Sequence, residues 1–150
     1  MAHVTVDCIV NAPRLDVWSS WDDFGSIAAF NPNLSGSHLL DTQTTGLGAT
    51  RQCDLSDGKN HIRERIVDYV PGERMAVDIY DGTMPLKSAK AIITLTPEGQ
   101  NRTLVRMRME FVPKFGPLGA LMVPMMKPQF RKMLQALLDG NAAHVERLAA

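Results

Sequence analysis

The chain has 150 residues, a length typical of one domain with a sizeable core. Its 16 basic and 16 acidic residues balance without a basic run, which argues against nucleic acid and an anionic membrane surface as partners. No apolar run approaches the roughly 20 residues of a transmembrane helix, and residues 1–10 lack a signal-peptide pattern. Cys8 and Cys53 are too few for a disulfide framework, so we expect one cytoplasmic domain over residues 1–150 with reduced thiols.

The first forty residues predict a strand, two short helices and a second strand. Apolar and polar residues alternate over residues 3–11, which is typical of a strand with one buried face. Pro13 opens a short helix, and a second helical piece is predicted over residues 24–30. Residues 36–42 form the weakest strand candidate. The apolar side of the first helix is predicted to contain Leu15, Val17, Trp18 and Trp21.

Two hairpins can be predicted with their register. If the pair Asp57-Gly58 forms the turn of the first hairpin, Arg51 faces Glu64 and Cys53 faces Ile62 on its apolar face. A two-residue and a four-residue loop give the same pairing, whereas an odd loop would change it. In the second hairpin, around Pro71-Gly72, an even loop pairs Ile66 with Val77 and Glu64 with Ile79.

Two further strands follow. The strand over residues 87–96 places Ala89, Ala91, Ile93 and Leu95 on one face. In the last strand, the residues on one face are Val105, Met107, Met109 and Phe111. These faces align only if the loop around Gly99 has an odd number of residues.

The last third of the chain predicts a long amphipathic helix. Apolar residues recur at helical spacing, and we place the helix from about Pro128 to Leu148 because proline suits the first turn of a helix. The Met-rich segment before Pro128 is predicted to be a separate turn of helix. A meandering antiparallel sheet with one apolar face needs a cover, and this helix is the only long candidate.

The predicted class is therefore α+β: a curved antiparallel sheet of about seven strands around a long C-terminal helix, with two short helices after strand 1. This chain resembles the START-like, Bet v 1-like helix-grip superfamily (SRPBCC), and within it the small bacterial polyketide cyclase/dehydrase-like proteins. The resemblance rests on the order and spacing of short fragments across residues 4–148. These fragments are Ala12-Pro13, Val17-Trp18, Asp23-Phe24, Asn31-Pro32, Gly48-Ala49-Thr50-Arg51, Arg63-Glu64-Arg65-Ile66 with Asp68, Lys127-Pro128-Gln129-Phe130 and Met133-Leu134.

Arg51 and Glu64 are the main functional candidates, because charged side chains rarely face an apolar interior unless they are paired or used. Similarity to the plant abscisic-acid receptors, which share this fold, implies that both positions line a ligand cavity. Arg51 would then bind a carboxylate, enolate or carbonyl oxygen, and Glu64 would orient a hydroxyl or transfer a proton. Alternatively, the two form a buried ion pair that only sets the strand register.

A small hydrophobic or amphipathic molecule is the expected partner, held between the sheet and the C-terminal helix of a monomer or homodimer. The alternative is a polyketide cyclase/aromatase or dehydratase with Arg51 and Glu64 as catalytic groups. A third possibility is an adaptor that docks a protein through the Met-rich segment. Besides Arg51 and Glu64, the predicted lining consists of Cys53, Ile62, Ile66, Val77, Ile79, Ala91, Met107, Met109, Met126, Phe130 and Leu134.

Metal and cofactor sites are not expected. The chain has no HExxH motif, no CxxC pair and no nucleotide-binding motif. Among the histidines, only His38 is expected to face inward, because it shares the parity of Leu40 in its strand. Cys53 has no evident base nearby in the sequence, so nucleophilic catalysis is unsupported.

Overall fold

A computed structural model of the chain describes residues 1–149 and contains seven strands and three helical segments. The helices are α1 (Arg14–Asp22), a 3-10 helix (Phe24–Ala29) and α2 (Gly116–Ala149). The strands are β1 (Ala2–Val10), β2 (Leu34–Leu39), β3 (Thr50–Leu55), β4 (His61–Val70), β5 (Arg74–Gly82), β6 (Leu86–Pro97) and β7 (Thr103–Pro113). The predicted order of elements is confirmed.

All seven strands form one antiparallel sheet in the order β1-β7-β6-β5-β4-β3-β2. Neighbours in sequence are neighbours in the sheet, except that β1 pairs with the last strand, β7. Helix α2 packs across β1 and β7 and also contacts α1. This arrangement is the helix-grip fold and confirms the predicted α+β class.

The predicted registers are confirmed. Arg51 pairs with Glu64 and Cys53 with Ile62 between β3 and β4, around a four-residue loop over residues 56–59. Between β4 and β5, Ile66 pairs with Val77 and Glu64 with Ile79, with an irregularity on either side of these pairs. The loop between β6 and β7 covers residues 98–102, an odd number, as the alignment of their apolar faces requires.

Helix α2 begins twelve residues before the predicted start, at Gly116 rather than about Pro128. Pro117 is the proline in its first turn, whereas Pro124 and Pro128 lie inside the helix. Each internal proline leaves the carbonyl four residues earlier without its usual amide donor, so the two prolines weaken this half without ending it. Phe115, immediately before the helix, has a left-handed φ of 73°.

Two smaller predictions were wrong. Leu15 is 63% exposed, because Val17, Trp18 and Trp21 form the buried face of α1 and Leu15 projects well outside it. His38 and Leu40 are exposed and Leu39 is half-buried, so the parity of β2 is the reverse of that predicted. In the sheet Leu39 pairs with the buried Arg51 and His38 with Gln52, so Leu39 rather than Leu40 sets the inward parity of this strand.

Candidate functional site

A cavity of about 120 Å³ lies between the inner face of the sheet and helix α2. Eleven of the thirteen predicted lining residues border it. They are Arg51, Cys53, Ile62, Glu64, Val77, Ile79, Ala91, Met107, Met109, Phe130 and Leu134. Ile66 is fully buried in the main hydrophobic core and does not border the cavity, and Met126 borders a neighbouring groove instead.

Sequence reasoning missed the other half of the cavity wall. Some of these residues continue predicted apolar faces, such as Ile93 on β6 and Leu137 on α2, and periodicity could have identified them. Others, such as Asn31 and Met84, come from loops and strand ends, where no periodic pattern exists. The missed residues are Trp21, Ile27, Asn31, Asn33, Leu34, Leu55, Met84, Leu86, Ile93, Met133 and Leu137.

Arg51 and Glu64 form a buried ion pair in the wall of this otherwise mostly apolar cavity. Nε of Arg51 donates a hydrogen bond of 2.8 Å to Oε1 of Glu64, and the two side chains are 5% and 9% exposed. Within residues 1–149, no hydrogen bond engages Nη2 of Arg51 or Oε2 of Glu64, and neither atom is fully enclosed. The pair therefore keeps one donor group and one acceptor atom for a further partner.

Phe24 makes two further contacts with the Arg51 guanidinium. Its backbone carbonyl accepts a 3.0 Å hydrogen bond from Nη1, and its ring centroid lies 3.8 Å from Cζ of Arg51. A cation over an aromatic face is attracted to it, most strongly where water is excluded. The 3-10 helix that carries Phe24 thus orients the arginine as Glu64 does.

The Cys53 thiol lies beside the pair, with Sγ 3.4 Å from Oε1 of Glu64. Burial is the largest cause that raises the pKa of this thiol, and the adjacent Glu64 carboxylate raises it further. The group therefore remains a protonated thiol at neutral pH and can donate a weak hydrogen bond to Glu64. A thiol in this state is a poor nucleophile.

Further polar groups border the cavity near α1 and β2. Trp21 is 3% exposed, and its indole Nε1 has no hydrogen-bond acceptor among the described residues. The Asn33 side chain donates a 2.8 Å hydrogen bond to the Met133 carbonyl of α2. The backbone N–H of Asn33 donates a hydrogen bond to Oδ1 of Asn31. Asn33 thereby ties the entry of β2 to the helix that covers the cavity.

A groove of about 250 Å³ adjoins the cavity beneath the first half of α2. Met84, Phe130 and Met133 border both spaces, so these side chains form the partition between them. On the far side, the groove reaches Phe115 and Met122. The loop around Met84 and the start of α2 therefore lie at the outer end of the cavity.

Within residues 1–149, no three His, Cys, Asp or Glu side chains are grouped so that they could hold a metal ion. None of the helices in that part of the chain is long and apolar enough to cross a bilayer.

Comparison with known proteins identifies the family. The sequence profile of the family described as polyketide cyclase / dehydrase and lipid transport matches residues 1–146. The chain belongs to this family. A search of curated proteins found no match.

Solved structures that share the family's fold extend over nearly the whole chain. A START superfamily protein from Mycobacterium smegmatis is 18% identical, with 97% of this chain and 98% of that chain covered and a TM-score of 0.81. An aromatase/cyclase from Streptomyces sp. R1128 is 18% identical, with 99% and 96% covered and a TM-score of 0.78. A norcoclaurine synthase point mutant from Thalictrum, in complex with a transition-state analogue, is 14% identical, with 99% and 96% covered and a TM-score of 0.76. At these identities the similarity is one of fold.

Proposed function

We propose that this protein binds a small hydrophobic or amphipathic molecule in the cavity between the sheet and α2, as a carrier or sensor. The observation that carries the proposal is the Arg51–Glu64 pair, buried in the wall of a mostly apolar cavity. An apolar cavity with a few convergent polar groups is the usual form of a small-molecule site. The family's description, which includes lipid transport, is consistent with such a ligand.

The polar anchor predicts the chemistry of the ligand. Nη2 of Arg51 is suited to a carbonyl or carboxylate oxygen, and Oε2 of Glu64 is suited to a hydroxyl that donates a hydrogen bond. An apolar body with one oxygen-bearing end fits these groups.

The volume limits the size of the ligand. Small-molecule sites commonly enclose about 300–1,000 Å³, and an apolar cavity of about 150 Å³ accepts benzene. At about 120 Å³, the cavity holds a group the size of a single ring. A larger ligand would have to move Met84, Phe130 and Met133 and extend into the adjoining groove.

Catalysis is the second candidate function, a cyclase/aromatase or dehydratase acting on a polyketide-like substrate. The same charged pair favours it, since Arg51 could stabilise negative charge that develops on an oxygen while Glu64 transfers a proton. The cavity would fold the reactive chain into a near-attack shape. The protonated Cys53 thiol argues against a covalent intermediate at that residue.

Native mass spectrometry of the purified protein, followed by the same sample after denaturation, tests whether the cavity carries a ligand. We expect a mass excess that disappears on unfolding, and the released molecule can then be identified. If the two masses match and no compound in a panel of apolar carbonyl compounds and carboxylic acids raises the melting temperature, the binding proposal fails.

The Arg51→Met variant distinguishes a binder from an enzyme. A binder should retain a weaker but measurable affinity, whereas an enzyme should lose turnover far more than binding. Arg106→Met is the matched control, because Arg106 lies on the outer face of β7, where it pairs with Asp7 at 3.0 Å and is half exposed. This control should leave both affinity and turnover unchanged.

A further inference from the structure

The first half of α2 exposes a continuous apolar surface. Leu118, Leu121, Met122 and Met125 follow one another at helical spacing on the side that faces away from the sheet, and Phe115 precedes them. Their exposed fractions are 72%, 76%, 51% and 74%, and that of Phe115 is 71%. We call these five residues the apolar ridge. Large exposed apolar patches on soluble domains commonly mark contact surfaces.

All charged residues in the segment that carries the apolar ridge are positive. Residues 111–138 contain Lys114, Lys127, Arg131 and Lys132 and no acidic residue. Lys114, Arg131 and Lys132 are exposed, whereas Lys127 is half-buried and lies on the opposite side of α2 from Leu118. The balance of charges over the whole chain, which argued against an anionic partner, conceals this local excess.

The apolar ridge is continuous with the outer end of the cavity. Phe115 and Met122 also border the groove of about 250 Å³, which is separated from the cavity by Met84, Phe130 and Met133. A surface that binds the ridge would therefore cover the mouth of the cavity. This half of the helix also contains Pro124 and follows a left-handed Phe115, so it is the part of α2 with the weakest backbone support.

We propose that the apolar ridge docks on the surface of an anionic lipid bilayer, with its five side chains in the headgroup–acyl boundary and the flanking basic residues on lipid phosphates. An apolar face bordered by Lys and Arg is the pattern of helices that lie in a membrane interface. Each basic side chain near an anionic bilayer adds attraction, which fades at high ionic strength. Docking would open the mouth of the cavity onto the bilayer rather than onto water.

A second copy of the chain fits this surface less well. A symmetric dimer through the apolar ridge would bring together two copies of Lys132, which lies seven residues after Met125 on the same side of the helix, with no acidic residue in the same segment to neutralise them. Like charges at an interface oppose association. An anionic bilayer supplies the missing negative charge over the whole surface.

Vesicle sedimentation tests the proposal. The full chain is mixed with vesicles of phosphatidylcholine and phosphatidylglycerol at equal parts, or of phosphatidylcholine alone, at low and high salt. We expect sedimentation with the anionic vesicles that decreases at high salt and is much weaker with the neutral ones. Absence of sedimentation with the anionic vesicles at low salt would overturn the proposal.

Two variants locate the contact, each with a matched control. Leu121→Asp should reduce the vesicle partition coefficient by about tenfold or more, whereas Leu15→Asp, at another 63% exposed leucine, should have little effect. Arg131→Glu with Lys132→Glu should reduce it by at least about twentyfold, at about fivefold for each positive charge lost, while Lys59→Glu should reduce it much less. Circular dichroism and the melting temperature establish that each variant is folded.

The outcome is independent of the cavity ligand, because sedimentation is measured on vesicles alone. Equal loss of binding in the ridge and control variants would overturn the assignment to the apolar ridge. Light scattering that shows a dimer disrupted by Leu121→Asp, without sedimentation of the original protein, would assign the ridge to a second copy and overturn the membrane proposal. Failure of ligand binding in the mass measurement would leave the vesicle result unaffected.

Discussion

Nε of Arg51 lies 2.8 Å from Oε1 of Glu64 across the β3–β4 pair, and both side chains are more than nine-tenths buried. Two charges removed from water lose much of their hydration, and their mutual attraction recovers this only when the geometry is good. Removing one partner leaves the other charge buried and alone.

Arg51→Met should therefore lower the free energy of unfolding by about 3–5 kcal/mol. In the double variant Arg51→Met with Glu64→Met, no charge is left alone, so the loss should be smaller than in Arg51→Met. Urea denaturation of the original protein, both single variants and the double variant measures the coupling. Additive losses would show that the pair does not act as a unit.

Substitutions at Ala91 and Ala89, which lie on the same face of β6, test which part of that face borders the cavity and which part is packed core. Ala91 borders the cavity, whereas Ala89 is 2% exposed and packed in a cluster with Phe111 and Phe130. Ala91→Leu should fill part of the cavity, change the free energy of unfolding by less than about 1 kcal/mol and weaken ligand binding. Ala89→Leu should destabilise the protein by about 1–3 kcal/mol through overpacking.

These two variants are compared by denaturation and by the mass excess in native mass spectrometry. The cavity assignment would be contradicted if Ala91→Leu destabilised the protein as much as Ala89→Leu.

Gly140 allows α2 to approach the 3-10 helix end closely. A Cβ at this position would collide with the backbone carbonyl of Phe30, which cannot move as a side chain can. Gly140→Ala should lower the free energy of unfolding by about 1–3 kcal/mol, even though alanine favours a helix by roughly 1 kcal/mol over glycine. Gly36→Ala is the control, because a Cβ there meets no atom within 4 Å. Thermal unfolding that ranks Gly36→Ala as the more harmful change would refute the close-approach argument.

Stability should depend on pH through the Cys53 thiol. Its pKa in the folded protein is raised above the ordinary value of about 9.0, mainly by burial. The folded state thus holds this proton more tightly than the unfolded chain does. The stabilising contribution is complete below pH 9 and is lost as pH rises toward the folded pKa, by up to about 1.4 kcal/mol per pH unit.

Urea denaturation between pH 8 and 10.5 measures this slope. Cys53→Ala should flatten it relative to the original protein, whereas Cys8→Ala should largely retain it, because Cys8 is only half-buried. Equal slopes in the original protein and in Cys53→Ala would contradict the assignment.

The alternation and turn signals of the sequence determined the fold and the pairing of the site. In an antiparallel sheet, side chains alternate between faces, so the turn at Asp57-Gly58 and the parity of β3 and β4 together require Arg51 to face Glu64 on the apolar side. The same alternation predicted Val77, Ile79, Ala91, Met107 and Met109 in the cavity wall. These are local rules that need no knowledge of distant contacts.

Only the tertiary structure determined the features that these local rules do not describe. Helix α2 continues back through Pro128 and Pro124 to Gly116, because packing of Gly119, Val123 and Met126 against the end of the sheet and its groove offsets the lost hydrogen bonds. The register shift in β2, the contribution of Trp21, Asn31 and Asn33 to the cavity, and the closure of β1 on β7 depend on segments far apart in the chain. Sequence periodicity describes which face of an element is apolar, but only the packed structure determines which apolar faces are covered and which, like the apolar ridge, remain exposed.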